Sequence, residues 1–271
     1  MAARPRLGVP PLRRTVVVAF YALVVGVPAF GVLVACGGGS AGEDQRTTVN
    51  VFAAASLTDA FTELAAAFEN ANPDLQVRLN LAGSSSLRAQ ILDGAPADVF
   101  ASANERTMDQ VIDGGAIPGS ATVFATNRLT IAVPEGNPAG VTGLADFGRT
   151  ELFIGLCDRA VPCGDLAATE LAAAGIDPAV DSYEPDVRAL LTKIAEGELD
   201  AGLVYMTDIA ADAAFGSVGE VIPPEGLAAT ARYPIATVAD GPAGDGAERF
   251  ATFVLGDEGR AVLAGFGFGA P

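Results

Sequence analysis

Two serine-bearing turns carry residue types suited to holding an anion. The first, Ala53-Ala54-Ala55-Ser56-Leu57, follows the apolar run Val49-Asn50-Val51-Phe52. The second, Ala82-Gly83-Ser84-Ser85-Ser86-Leu87, follows a second apolar run over 75–81. Each stands where a strand is expected to run into a helix, so unpaired backbone N–H groups and a hydroxyl face outward together at the positive end of a helix dipole. Two such ends converging suffice for a small oxyanion, with no charged side chain needed. Hydrolysis with Ser56 or Ser84 as nucleophile is the competing chemistry, and the composition weighs against it. The chain has no histidine, which excludes Ser-His-Asp triads, Cys-His pairs and His-ligated metal sites. Lys193, the only lysine, stands at no spacing that suggests a substitute base. A binding protein is therefore expected rather than an enzyme, with no catalytic residues and no resident cofactor.

The elements that must position these turns follow a regular alternation. Strands are expected at 48–52, 75–81 and 97–101, each followed by a helix, at 57–70, 84–92 and 105–113. Phe61, Leu64, Ala65 and Phe68 fall on one helical face, and the serines 84–86 are expected to cap the second helix. A further strand at 129–133 ends at Pro134-Glu135-Gly136-Asn137-Pro138. A second set follows: strand 152–156, helices 165–174 and 187–196, then strands 201–205, 218–222 and 233–238, with terminal helices at 248–255 and 258–264. The βαβ pattern predicts an α/β fold with a parallel sheet covered by helices. Two lobes are expected, 47–128 plus 233–271 and 129–232, joined by two crossovers with a ligand cleft between them where strand ends meet.

Charge and the N-terminal segment set the compartment. The formal net charge is −17, and the stretch before Cys36 holds four of the 16 basic residues and no acid, so 12 basic residues against 33 acidic ones, or −21, remain beyond it. Such a surface offers no basic face for phosphates, which excludes nucleic acid as a partner. An anion ligand remains compatible with it when neutral local dipoles do the binding. Residues 1–35 read as a signal peptide: four arginines, an apolar run from 16 to 35, and small residues before Cys36. Leu33-Val34-Ala35-Cys36 resembles the lipobox of bacterial lipoproteins, which implies that Cys36 carries a lipid and that 36–46, rich in Gly, is a flexible tether. An uncleaved membrane helix is the bland alternative, and Arg13-Arg14 leaves Sec and twin-arginine export both open. Cys157 and Cys163 then stand in an oxidising compartment, where a disulfide closing a short loop and two buried free thiols are both open readings.

Taken in order, the motifs resemble one family. Val51-Phe52-Ala53-Ala54-Ala55-Ser56-Leu57-Thr58-Asp59-Ala60 is similar to the opening of the molybdate-binding proteins of bacterial ABC importers. Gly83-Ser84-Ser85-Ser86-Leu87, Ala97-Asp98-Val99-Phe100-Ala101, Val161-Pro162-Cys163-Gly164, Glu184-Pro185-Asp186-Val187-Arg188, Gly202-Leu203-Val204-Tyr205 with Asp208, and Tyr233-Pro234-Ile235 continue the series. The resemblance implies the type II periplasmic-binding-protein fold. It also implies tetrahedral molybdate or tungstate held by Ser56 and Ser84, by backbone N–H groups at Cys163 and Val187, and by the Tyr205 hydroxyl. Molybdenum would enter only as the oxyanion. The implied partners are that oxyanion and the membrane permease of an ABC transporter, with the membrane touched through the lipid on Cys36 alone and the chain a monomer outside the cytoplasmic membrane. Position 163 departs from the commoner alanine. Sulfate or another tetrahedral oxyanion is the rival cargo, since it differs chiefly in size. Singly, Ser56 reads as a helix cap, Tyr205 and Asp98 as structural residues, and Arg188 as the partner of an acid; only the ordered set points to a ligand shell.

Overall fold

In the computed structural model, which describes residues 46–212, 216–223 and 226–271, the apolar alternation that opens this region becomes β1 (Thr47–Ala54). Val49, Val51 and Ala53 enter one core and Phe52 the other, as a strand buried on both faces requires. β1 lies between β2 (Leu75–Ala82) and β3 (Val99–Ala101), parallel to both. The connecting helices α1 (Thr58–Ala71) and α2 (Ser84–Leu92), with α3 (Glu105–Asp113) after β3, fall close to the expected bounds because periodicity and breakers both mark them. Asn104 caps α3 by accepting from the Thr107 N–H at 3.0 Å.

The second half departs from a parallel sheet. β4 runs from Thr122 to Pro134, well before the expected start at 129. Residues 122–128 pair antiparallel with β9 (Thr230–Thr237), and from Leu129 the strand pairs antiparallel with β7 (Ala201–Tyr205) and then β8 (Val218–Val221). β5 (Ile154–Cys157) runs parallel to both β7 and β6 (Val180–Glu184). The full order is β2-β1-β3-β9-β4-β7-β5-β6, with β8 on β4. β4 and β9 thus carry the sheet from its first strands to its last. α4 (Pro162–Ala173), α5 (Val187–Ala195) and the short α6 (Met206–Asp212) cover the later strands, and α7 (Asp245–Leu255) and α8 (Asp257–Gly265) return to pack on α1. β6 and α6 have no counterpart in the sequence reading. β6 is a short edge strand with only one apolar aliphatic residue, Val180, and α6 follows β7 with no intervening cap or breaker to announce it.

A run of aromatic contacts joins the core to the sheet: Phe68 to Phe250, Phe250 to Phe61, Phe124 to Tyr233 and Tyr233 to Tyr205 edge to face, with Phe61 and Phe124 tilted against each other. Each such contact contributes about 0.5–1.5 kcal/mol beyond area burial. On the opposite face Phe52, Leu87, Phe100, Met108 and Val111 hold α2 and α3. Asp98, fully buried, ties this region: its carboxylate accepts from Asn50 N and Ala243 N, both at 2.7 Å.

Candidate anion-binding site

Ser56 does not cap α1. It lies in a 3-10 turn, Ala55–Leu57, that precedes the helix, and its Oγ shares a hydrogen bond of 3.0 Å with Tyr233 Oη. The serines of the second turn do not cap α2 either; Gly83 occupies that position, and no side chain caps the helix. Ser84 Oγ instead accepts from the Ala103 N–H at 3.0 Å, which leaves the hydroxyl proton free to be donated elsewhere. Ser85 Oγ donates to the Ala160 carbonyl at 2.7 Å. Position 83 requires glycine for space: a Cβ there would sit 2.8 Å from the Pro185 carbonyl oxygen.

The other contributions come from the later strands. Pro162, free of the N–H that a first-turn residue leaves unpaired, opens α4, and Cys163 follows it. Cys163 is joined to Cys157 at the end of β5 by a disulfide, with Cα atoms 5.7 Å apart. Gly164 lies so close beneath the loop that a Cβ would collide with the Asp158 backbone carbonyl. At α5 the cap is Asp186, whose Oδ1 accepts from Arg188 N at 2.9 Å and Ala189 N at 3.0 Å, not from Val187. Tyr205 closes β7, and its backbone N–H donates to Asp208 Oδ2 at 3.1 Å.

These segments enclose one cavity. Its walls are Ala54, Ala55, Ser56, Gly83, Ser84, Ala103, Val161, Pro162, Cys163, Asp186, Val187 and Tyr205. All five residues expected to hold an anion, Ser56, Ser84, Cys163, Val187 and Tyr205, therefore meet in one place. The space open to the centres of water-sized spheres is about 20 Å³; adding a water radius of about 1.4 Å gives a chamber of about 3 Å radius, room for one small ion. The starts of α2, α4 and α5 and the 3-10 turn all face it, so the local field is positive without a basic side chain in the wall. Asp186 is the one acid in the wall, and the two N–H groups at its own helix start occupy its Oδ1.

Tyr205 Oη is the telling atom. It is buried in this wall and makes no hydrogen bond of good geometry, although the Tyr233 hydroxyl lies beside it. Burial, then the neighbouring Tyr233 and the Asp208 charge, hold its phenol well above the ordinary range, so it remains a donor. Asp208 is fully buried as well, and burial pushes its carboxyl up to about 7 against the pull of Arg188. Among the described residues no group of three or more His, Cys, Asp or Glu side chains converges to hold a metal ion. Cys36 lies outside the described residues, and none of their helices is long and apolar enough to cross a membrane.

A supporting layer stands behind the serines of the wall, and spacing in the sequence does not mark it. Tyr233, the partner of Ser56, and the Ala103 N–H, the partner of Ser84, lie 177 and 19 residues away from their serines. Tyr233 belongs to the ordered motif series, but neither contact has a local signal, since the fold creates both.

With this geometry, the fold is that of a periplasmic solute-binding protein. The chain belongs to the bacterial extracellular solute-binding proteins, whose family profile matches residues 49–269. It is 38% identical over 245 residues to the molybdate-binding protein ModA of Mycobacterium tuberculosis, covering 88% of this chain and 93% of that one. Solved structures share the fold, two of them proteins that bind tetrahedral oxyanions. The periplasmic molybdate-binding protein of Azotobacter vinelandii matches with a TM-score of 0.70 at 22% identity, covering 82% of this chain and 99% of that one. The sulfate-binding protein SubI of Mycobacterium tuberculosis matches with a TM-score of 0.71 at 19% identity, covering 82% and 86%.

Proposed function

We propose that this protein captures molybdate, and tungstate with it, outside the cytoplasmic membrane and delivers it to an ABC permease. The observation that carries the reading is the buried, unpartnered Tyr205 Oη in a cavity for one small ion, walled by serines and helix starts. In this reading Ser56, Ser84 and Tyr205 donate through hydroxyls, and Cys163 and Val187 through backbone N–H groups. Each hydrogen bond to a charged group contributes about 1.5–3 kcal/mol. Neutral donors also favour release, because no ion pair has to be broken when the permease takes the cargo. A protonated oxyanion is disfavoured, since its proton would face a donor. The lobes are 47–128 plus 233–271 and 129–232, with β4 and β9 as the crossing segments about which they close. A lipid on Cys36 and the tether to residue 46 hold the monomer at the membrane; a Cys36→Ala chain would be released, and mass spectrometry of the mature N-terminus reads this directly.

Sulfate is the competing cargo, favoured by the shared fold of the sulfate-binding protein and opposed by the 38% identity to a molybdate-binding protein. A thermal melt with molybdate, tungstate, sulfate and phosphate added separately decides between them. Ligand at 100 times its Kd stabilises by about 2.7 kcal/mol, a rise in midpoint of roughly 5–10 °C for a chain of this size. A rise with molybdate and tungstate alone is expected. A rise with sulfate alone changes the cargo, and no rise with any of the four removes the oxyanion reading.

A further inference from the structure

Arg188 lies outside the cavity wall but touches what surrounds it. It stands in the first turn of α5, directly after Val187, and its guanidinium reaches two acids on different elements. One Nη donates to Asp59 Oδ2 in the first turn of α1, which packs on the early strands. Nε faces Asp208 Oδ1 on α6 at 3.6 Å, an ion-pair distance too long for a hydrogen bond, and both of these buried atoms have no hydrogen-bond partner. The other oxygen of Asp208 holds the Tyr205 N–H. The guanidinium is thus drawn toward Asp59 and stops just short of the acid on its own side. Beside it, Gly83 and Pro185 approach so closely that no Cβ fits between them.

We infer that Arg188 is a two-position latch. With the lobes apart it hydrogen-bonds Asp208 fully; closure brings Asp59 within reach, and the guanidinium is then shared between the two acids. The exchange keeps the cation paired in both states, and the closed pair with Asp59 slows escape of the trapped ion without entering its coordination shell. Arg188 and Asp59 are positioning residues in this scheme, which rests on the oxyanion reading and on the two lobes proposed above. The Asp59 side chain is 42% exposed and that of Arg188 31%, so the latch is a partly screened pair and its effect is modest.

The test separates release from capture. The full chain is loaded with radiolabelled molybdate and chased with unlabelled molybdate to give koff; equilibrium dialysis gives Kd, and kon follows from the two. Asp59→Asn should raise koff about threefold, the scale of a partly exposed ion pair, with kon unchanged and the anion-free melting midpoint close to wild type. Asp59→Glu, which keeps the charge, should restore most of the slow release. Raising ionic strength should speed release from wild type and leave Asp59→Asn nearly flat. Arg188→Gln should raise koff further and also lower the anion-free midpoint, because Asp208 loses its cation. If Asp59→Asn releases molybdate at the wild-type rate, or if its weaker affinity lies in kon, the latch is wrong while the cargo stands. If the wild-type chain binds no molybdate, the cargo reading fails and takes the latch with it.

Discussion

The hydroxyl of Tyr205 permits a prediction in which stability and affinity move in opposite directions. The ring is 1% exposed and packs edge to face on Tyr233 at 6.0 Å, so Tyr205→Phe keeps the packing and removes only the Oη that has no partner. A buried polar atom without a hydrogen bond costs about 1–3 kcal/mol, and its removal returns part of that. The anion-free variant should therefore melt at or above the wild-type midpoint, by up to about 6 °C for a chain of this size. With molybdate bound the same change deletes one hydrogen bond to a dianion, about 1.5–3 kcal/mol, which is a rise in Kd of about 10- to 150-fold. Isothermal titration reads the second effect and paired melts with and without molybdate read both. A variant that melts several degrees lower without the anion, yet binds it within twofold of wild type, would refute the reasoning: Oη would then be satisfied inside the free protein and idle in the complex.

Ser84→Ala removes a donor to the cavity and also strands the buried Ala103 N–H, so it should weaken molybdate binding at least tenfold and lower the anion-free midpoint, whereas Ser84→Thr should spare much of the stability; titration and melts separate the two losses. Reducing the Cys157–Cys163 bridge, or replacing both residues by serine, releases a constraint between positions six apart. The loss is about 2 kcal/mol of loop-closure entropy, roughly 4–8 °C in midpoint, with weaker binding because the Cys163 N–H loses its fixed place; melts with and without reductant show both. Asp208 titrates near 7 when folded against 3.8 as its ordinary value. Between those values the folded chain holds a proton that the unfolded chain has lost, so the stability of wild type relative to Asp208→Asn should fall as pH rises from about 4 to 7 and then level off. Denaturant titrations of both proteins across that range check the slope, and a difference that is flat or rises with pH would contradict the burial argument.

Local order was legible in the chain itself. The helices from Ser84 to Leu92 and from Glu105 to Asp113 and the strand from Ala201 to Tyr205 follow from periodicity and breakers, which act within one segment and need no partner. Spaced motifs likewise marked five of the residues that line the cavity, Ser56, Ser84, Cys163, Val187 and Tyr205. The absence of histidine by itself excludes Ser-His-Asp triads, Cys-His pairs and His-ligated metal sites. Elements stabilised from outside were not legible. The early half of β4 exists because β9 pairs with it, and β6 because β5 does; a strand made by its neighbour leaves a weak trace in its own residues. The serines of 84–86 show the same limit, since a capping preference is local while the contacts that win, to Ala103 N and to the Ala160 carbonyl, are not.

Residue types and spacing, then, determined which groups are available to this protein: hydroxyls and helix starts in place of bases or metal ligands. Only the tertiary structure decided that segments between Ala54 and Tyr205 close on a single small cavity, that Tyr205 Oη is left there without a partner, and that Arg188 stands between Asp59 and Asp208. The reason is that burial, field and shared hydrogen bonds are properties of surfaces brought together by sheet order. Sheet order is set by pairings between distant segments, which no window of the sequence contains.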